Sequence, residues 1–147
     1  MSAELEELYR ELILDHSRHP VGKGDPATAE HTHHELNPSC GDEITMGVTV
    51  DDDGSISRLV WEGQGCSISM ASASVMSDML TGASRLDALA RVEEFRAMLR
   101  SRGTTEPPES LEDAAAFQGV AKYVMRVKCA MLGWVALEAC LNQAGAA

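Results

Sequence analysis

Apolar and polar positions follow two different periodicities along the chain, and each period predicts its own kind of element. Residues 5–16 place apolar side chains three or four positions apart, which predicts an amphipathic helix that ends at Pro20. Residues 44–50 alternate apolar and polar side chains, which is typical of a half-buried strand. Turn-forming residues at 51–55 then lead into a second strand at 56–61, so the two strands are expected to form a hairpin.

Helical spacing takes over after Cys66 and continues almost to the end of the sequence. Gly82 is expected to end the first of these helices, whose many Ser and Ala residues predict close packing. Three later helices are expected. One runs from the capping pair Ser84 and Asp87 to Gly103, and a short one begins at the capping pair Ser110 and Asp113. The last covers residues 120–141, with or without a break near Cys129. Residues 101–110 are rich in helix breakers and predict a surface excursion.

The order of these elements is a helix, two or three strands and then several helices, with the polar segment 31–36 as a candidate edge strand. Consecutive strands followed by consecutive helices predict an α+β fold, in which a small antiparallel sheet packs against several helices. The chain has 147 residues, and this length predicts a single domain over residues 1–147.

The charge of the chain argues against several classes of partner. Twelve Lys and Arg residues against 23 Asp and Glu residues give a formal net charge of −11, which disfavours binding to nucleic acid or to an anionic membrane. The opening segment is acidic, with Glu4, Glu6 and Glu7, rather than basic and then apolar as a signal peptide requires. This opening predicts a cytoplasmic protein, and because no apolar run reaches the roughly 20 residues of a membrane span, no segment is expected to cross a bilayer.

The four cysteines, at positions 40, 66, 129 and 140, are the main candidates for chemistry. An even number of cysteines in a small secreted protein would suggest disulfides, whereas in a cytosolic chain cysteines bind metals, act as nucleophiles or pack in the core. Cys140 follows Cys129 by about three helical turns, which places it on the order of 16 Å away along the axis, so Cys140 is expected to pack in the core.

The other three cysteines each lie in a setting that is expected to favour the thiolate. Cys40 lies in a turn flanked by Pro and Gly just before a strand. Cys66 lies at the start of a helix, where the helix dipole favours an anion. Cys129 has two cations close to it in the sequence, Arg126 and Lys128, which are expected to favour its anionic form.

Three thiolates and a carboxylate would complete the tetrahedral donor set that zinc prefers. Asp42, two residues after Cys40, supplies the carboxylate, and a carboxylate exchanges more readily than a thiolate on this metal. Such a set carries excess negative charge and calls for a nearby cation, for which Arg126 is the candidate. The cysteines form no Cys-x-x-Cys pair, so their spacing alone is weak evidence for zinc.

Two further clusters look like ligand sites but are expected to be structural. His31, His33 and His34 lie on a polar strand, which directs residues 31 and 33 to one face and residue 34 to the other, as in a solvated edge. Residues 51–54 look like the start of a calcium loop, yet no Glu follows at the twelfth position, so a hairpin turn is expected.

Three motifs in order along the chain carry a specific likeness. They are Asn-Pro-Ser-Cys-Gly-Asp at 37–42, Gly-Gln-Gly-Cys-Ser-Ile-Ser-Met-Ala-Ser-Ala-Ser at 63–74 and Arg-Val-Lys-Cys-Ala at 126–130. With the opening Leu-Tyr-Arg-Glu-Leu-Ile-Leu-Asp-His at 8–16, they resemble SufU, the zinc-dependent sulfurtransferase branch of the IscU/NifU-like family. The resemblance covers nearly the whole chain and implies a SufE/NifU-like fold with Zn²⁺ bound by Cys40, Asp42, Cys66 and Cys129.

Two features separate this chain from the alternative branch, the IscU-type iron–sulfur cluster scaffold. That branch has His immediately before its last cysteine, where this chain has Lys128, and it lacks the excursion that here covers about residues 101–119. The chain also departs from the SufU pattern at Tyr123-Val124, where the family has an aromatic residue followed by proline.

The resemblance implies sulfur carriage for iron–sulfur cluster assembly. A pyridoxal-phosphate cysteine desulfurase of the SufS type would take sulfur from L-cysteine as a persulfide and transfer it to Cys40, the catalytic cysteine. Because a zinc-bound thiolate is a poor nucleophile, the family's solution is that a desulfurase histidine replaces Cys40 on the metal. Asp42, Cys66 and Cys129 would hold the zinc meanwhile, and the sulfur would pass to downstream components of the SUF machinery.

Overall fold

A three-stranded antiparallel sheet with the order β1–β2–β3 forms the centre of the structure. The computed structural model describes residues 3–145. The strands are β1 (His31–Asn37), β2 (Asp42–Val50) and β3 (Ile56–Gln64). The candidate edge strand is therefore confirmed, and the strand predicted from Ile44 begins at Asp42, because Asp42 still pairs with Asn37 across the hairpin.

In the described part of the chain, residues 3–145, four α-helices and two 3-10 helices accompany the sheet. They are α1 (Ala3–Arg18), α2 (Ser67–Leu80), α3 (Arg85–Arg100) and α4 (Val124–Gly145), with 3-10 helices at Pro26–Thr28 and Glu109–Lys122. Helix α4 packs on β1 and β2, α2 packs on α4 and β3, and α1 lies across α2. The predicted α+β fold is thus confirmed.

Within residues 3–145, none of the helices combines the length and the apolar character that a membrane span requires.

The alternation along β2 positions the core. Ile44, Met46 and Val48 are fully buried beneath the helices, as the period of two predicts. On the helical side, the ring of Phe95 stacks on Trp134 with centroids 4.1 Å apart. Sheet and helices therefore share one hydrophobic core, and this core fixes where the ends of β1, β2, α2 and α4 meet.

The small residues of α2 allow close packing, as the sequence predicts. A side chain at Gly133 of α4 would come within 3.1 Å of the Cβ of Ala73, so glycine lets these two helices approach. Four buried serines of α2 are bonded to different parts of the molecule: Ser69 to Asp42, Ser72 to Ala130 and Trp134, Ser74 to His16 and Val21, and Ser77 to Ala73. Burying a hydroxyl is costly unless it finds a partner, and each of these four has one.

The segment Glu109–Lys122 differs from the short capped helix predicted there. It has 3-10 geometry, and its N-cap position is held by Pro108 without a side-chain hydrogen bond. The hydroxyl of Ser110, expected to cap the helix, donates instead to the Glu94 carboxylate of α3. A kink at Glu112 interrupts the helix. The φ of Glu112 is +47°, a backbone conformation that residues other than glycine rarely adopt.

The break expected near Cys129 lies earlier, at Tyr123. This residue has extended backbone angles, and its carbonyl accepts hydrogen bonds from the N–H groups of Arg126 at 2.9 Å and Val127 at 3.1 Å. Helix α4 then runs without interruption through Cys129. The chain therefore breaks the helix here without the proline of the SufU pattern.

Candidate metal centre

Cys40 lies in the turn that joins β1 to β2. Asn37 and Asp42 form the last pair of this ladder, and the side-chain oxygen of Asn37 accepts the N–H of Ser39 at 3.2 Å. Gly41 closes the turn with a φ of +76°, where a glycine avoids the strain that a side chain would bring. The turn consequently holds Cys40 at its exposed tip.

Asp42 begins β2 and is only 5% exposed. One carboxylate oxygen accepts the N–H of Cys66 at 3.3 Å, and the other accepts the hydroxyl of Ser69 at 2.5 Å. A Cβ at Gly65 would lie 2.8 Å from the carboxylate carbon, so only glycine leaves room for Asp42 there. Asp42 thus caps the N-terminus of α2 from a neighbouring strand, where the helix dipole favours its negative charge.

The surroundings of Asp42 act on its pKa in opposite directions. Burial raises the pKa, whereas the hydrogen bond from Ser69 and the interactions with the thiols of Cys40, Cys129 and Cys66 lower it. The lowering effects prevail, so the pKa of Asp42 lies below its ordinary value and the side chain is a carboxylate at neutral pH.

Cys129 brings the third donor, from the second turn of α4. It is 3% exposed, and its Sγ lies 3.8 Å from the Sγ of Cys40. The two sulfurs and a carboxylate oxygen of Asp42 all lie within 4.8 Å of one another. The structure therefore brings together Cys40, Asp42 and Cys129, which are 89 residues apart at the extremes.

Cys66 lies beside this group, and its thiol contacts Ser69. It occupies the N-cap position of α2, and its Sγ lies 3.5 Å from the hydroxyl oxygen of Ser69. The Cys66 sulfur is not part of the group of three within 4.8 Å, yet it is close enough to influence the pKa of both Asp42 and Cys129.

The cations near Cys129 do not make it a thiolate. Burial first, and then the proximity of Cys66, raise the pKa of the Cys129 thiol to about 12. The side chains of Arg126 and Lys128 are exposed to solvent. Burial therefore outweighs the neighbouring cations, contrary to the expectation that they would hold Cys129 in its anionic form.

The geometry of the donors fits zinc. Zn–S bonds of about 2.3 Å at the tetrahedral angle separate two sulfur ligands by about 3.8 Å. The sulfurs of Cys40 and Cys129 are 3.8 Å apart. The remaining donor of the group, a carboxylate, is a hard ligand that zinc also accepts.

The remaining sequence candidates are structural. Cys140 is fully buried, its thiol donates to the Met46 carbonyl at 3.4 Å, and burial raises its pKa to about 12. This agrees with the predicted role of Cys140 in core packing. Among residues 3–145, the cysteine–aspartate group is the one set of three or more metal-ligating side chains close enough to share an ion.

Two of the three histidines of β1, His33 and His34, and the acidic turn also have structural partners. His33 pairs with Glu35 at 2.8 Å on one face of β1, and His34 pairs with Glu43 at 3.4 Å on the other. The acidic turn is a hairpin turn, as predicted, in which the N–H of Gly54 donates to the carbonyl of Asp51 at 2.9 Å.

Ser69 is the residue of this centre that the sequence reasoning missed. It lies three positions after Cys66, at the third residue of α2. A residue at this position of a helix faces back towards the N-cap residue, so the spacing contained a signal for contact with Cys66.

Comparisons with known proteins agree on one family. The family model described as "NifU-like N terminal domain" matches residues 8–139. The zinc-dependent sulfurtransferase SufU of Bacillus subtilis (strain 168) is 39% identical over 140 residues, which cover 93% of this chain and 91% of that protein. The iron–sulfur cluster assembly scaffold protein IscU of Streptococcus pyogenes serotype M1 is 36% identical, over 96% of this chain and 87% of that protein.

A solved structure shares the fold. The crystal structure of a putative iron–sulfur cluster assembly scaffold protein for the SUF system, from Fervidobacterium islandicum AW-1, superposes with a TM-score of 0.79. It is 33% identical, and the match covers 95% of this chain and 99% of that one. Because the family model covers most of the chain and the relatives match along nearly their whole length, the chain belongs to the family of NifU-like N-terminal domains.

Proposed function

We propose that this protein is a zinc-dependent sulfurtransferase that accepts persulfide sulfur on Cys40 from a SufS-type cysteine desulfurase and relays it for iron–sulfur cluster assembly. The observation that carries the proposal is the unequal exposure of the converging donors. Cys40 is exposed at the tip of a turn, whereas Asp42 and Cys129 are 5% and 3% exposed. A partner can therefore reach Cys40 while the other donors stay in place.

The proposed zinc ligands are Cys40, Asp42, Cys66 and Cys129. When bound, zinc would supply the positive charge that keeps three neighbouring thiols deprotonated. Ser69 and the N-terminus of α2 fix the carboxylate of Asp42, and α4 fixes Cys129. The exposed cations Arg126 and Lys128 are proposed to offset the excess negative charge of the donor set.

Sulfur transfer to Cys40 needs no oxidant. The Cys40 thiolate attacks the outer sulfur of the desulfurase persulfide, a new S–S bond forms at Cys40, and the S–S bond of the donor breaks. The desulfurase cysteine leaves as a thiolate, so the electron count is unchanged. Downstream SUF components would then receive the sulfur from Cys40.

A cluster scaffold is the second candidate, because the Streptococcus and Fervidobacterium proteins carry that word in their names. Two features favour the sulfurtransferase. Lys128 precedes Cys129 and offers no imidazole ligand, and the excursion after α3 is present as a loop and a 3-10 helix that packs against α3. A cytoplasmic location and the lack of nucleic-acid or membrane partners stay predictions from the sequence.

Mapping the persulfide tests the transfer step. We expect zinc-loaded protein, incubated with a SufS-type desulfurase and L-cysteine, to gain one sulfur atom on Cys40, as read by mass spectrometry of alkylated peptides. Cys140→Ser is the matched control, since Cys140 is buried away from the site, and it should leave the labelling unchanged. Sulfur found chiefly on Cys140, or undiminished sulfur in Cys40→Ser, would contradict the proposal.

A further inference from the structure

We infer that Ser69 is a positioning residue of the metal centre, because from helix α2 it orients the carboxylate of Asp42, a proposed ligand on the neighbouring strand. Its hydroxyl touches Asp42 of β2 and Cys66 of α2. The inference rests on the proposed metal site and adds a residue that does not itself bind the metal.

The contact with Asp42 fixes the direction of the carboxylate. The Ser69 hydroxyl is 1% exposed and donates to Asp42 at 2.5 Å, while the N–H of Cys66 holds the other carboxylate oxygen at 3.3 Å. With both oxygens held, the carboxylate cannot rotate freely. Each oxygen still has a lone pair left with which to bind a metal.

The direction of the hydrogen bond between Ser69 and Cys66 follows from the single proton of a hydroxyl. Because the Ser69 proton goes to Asp42, the Ser69 oxygen is the acceptor for the Cys66 thiol 3.5 Å away. The Ser69 hydroxyl therefore touches both side chains, and its bond to the Asp42 carboxylate is the contact that can remain when a metal binds, because each carboxylate oxygen has more than one lone pair.

The other buried serines of α2 have different partners. Ser72 donates to the carbonyl of Ala130 at 2.7 Å and accepts from the indole of Trp134 at 3.0 Å. Like Ser69 it is buried and fully hydrogen-bonded, but no ligand of the proposed site is among its partners. Ser72 is therefore a matched control for the loss of a buried hydroxyl.

The size of the effect follows from other metal sites. Removing the hydrogen-bond partner of a ligating side chain typically weakens metal binding about 10- to 100-fold. A hydroxyl that served only packing would lower stability without such a loss.

The test is zinc affinity, measured on the isolated protein by competition with a chromophoric chelator, together with the visible spectrum of the cobalt-loaded form. Ser69→Ala is expected to bind zinc about 10- to 100-fold more weakly and to shift the cobalt bands. Threonine and valine have the same shape and differ in the hydroxyl. Ser69→Thr should therefore bind zinc about as tightly as the parent does. Ser69→Val should bind zinc about as weakly as Ser69→Ala does. Ser72→Ala should keep both the affinity and the spectrum.

Several outcomes would overturn the inference. They are an unchanged zinc affinity in Ser69→Ala, equal affinities in the threonine and valine variants, or an equal loss in Ser72→Ala. Persulfide on Cys40 could still form in any of these cases, so a failure of this inference is separate from a failure of the proposed function. A parent chain that binds neither zinc nor cobalt would overturn the metal site and this inference with it.

Discussion

The individual residues of the site divide into one exposed cysteine, Cys40, and a buried frame. Cys40 sits on a turn closed by Gly41, while Asp42 and Cys129 are held by a strand and a helix that pack in the core. Groups held by rigid elements keep their geometry, and a group on a turn can move. This division suits a site in which one ligand reacts and the others stay.

Replacement of each proposed ligand should remove zinc. We expect about one zinc per chain in the parent and little or none in Cys40→Ala, Asp42→Ala, Cys66→Ala and Cys129→Ala, because each substitution removes one of the four donors that complete the tetrahedron. Cys140→Ala should keep its full zinc content, since burial in the core separates Cys140 from the site. Metal analysis of the purified variants gives the answer.

Two results together would contradict this ligand set. They are full zinc in both Cys66→Ala and Cys129→Ala, and loss of zinc in Cys140→Ala.

Residue types and motif order predicted four converging donors, of which three lie together in the structure while the Cys66 sulfur lies outside their group. Cys40, Asp42 and Cys129 come together as expected, since the hairpin and α4 carry them to the same end of the sheet. The orientation of Cys66 towards Ser69 depends on a rotamer that no sequence pattern encodes. The raised pKa of Cys129 depends on burial in the folded chain, and neighbours in sequence were a poor guide to it.

At the scale of elements, periodic segments were predictable and irregular ones were not. The hairpin and the helices α1, α2 and α3 lie close to their predicted bounds, because their periodic patterns are local. Their capping residues can also be recognised in the sequence. An example is Ser84, whose hydroxyl oxygen accepts the N–H of Asp87 at 3.1 Å. The 3-10 helix after α3 depends on tertiary contacts, such as that between Ser110 and Glu94. The break at Tyr123 likewise has no proline to announce it.

Helix α1 offers a test of how one element is attached. It has no buried residue, and Ser74 of α2 bonds both His16 and the N–H of Val21 just beyond α1, each at 2.7 Å. Ser74→Ala should lower the free energy that holds α1 on the rest of the molecule by about 1–3 kcal/mol, because the ring of His16 and the N–H of Val21 both lose their hydrogen-bond partner. Hydrogen exchange should then accelerate in α1 more than in β2.

Ser77→Ala is the control for that experiment, because Ser77 bonds within α2, to the carbonyl of Ala73. Exchange that rises equally in α1 and β2 of Ser74→Ala, or that does not change, would show that Ser74 does not anchor the helix.

At the scale of the whole molecule, the fold brings four chain segments to one end of the sheet. The turn after β1, the start of β2, the start of α2 and the second turn of α4 meet there. The fold class was predictable because strands precede helices along the chain. The molecule as a whole is acidic, with a formal net charge of −11, whereas Arg126 and Lys128 place exposed positive charge close to the proposed ligand Cys129.

The central claim is that the zinc form is the active form, and desulfurase turnover tests it most directly. Alanine released from L-cysteine by a SufS-type desulfurase would be measured with metal-depleted, zinc-loaded and iron-reconstituted protein in parallel. We predict strong stimulation by the zinc form, little by the depleted form, and loss of stimulation in Cys40→Ala and Asp42→Ala. The contrary result is an inert zinc form beside an iron-reconstituted form that holds a stable cluster and donates it to an apo-ferredoxin, which would make the protein a scaffold.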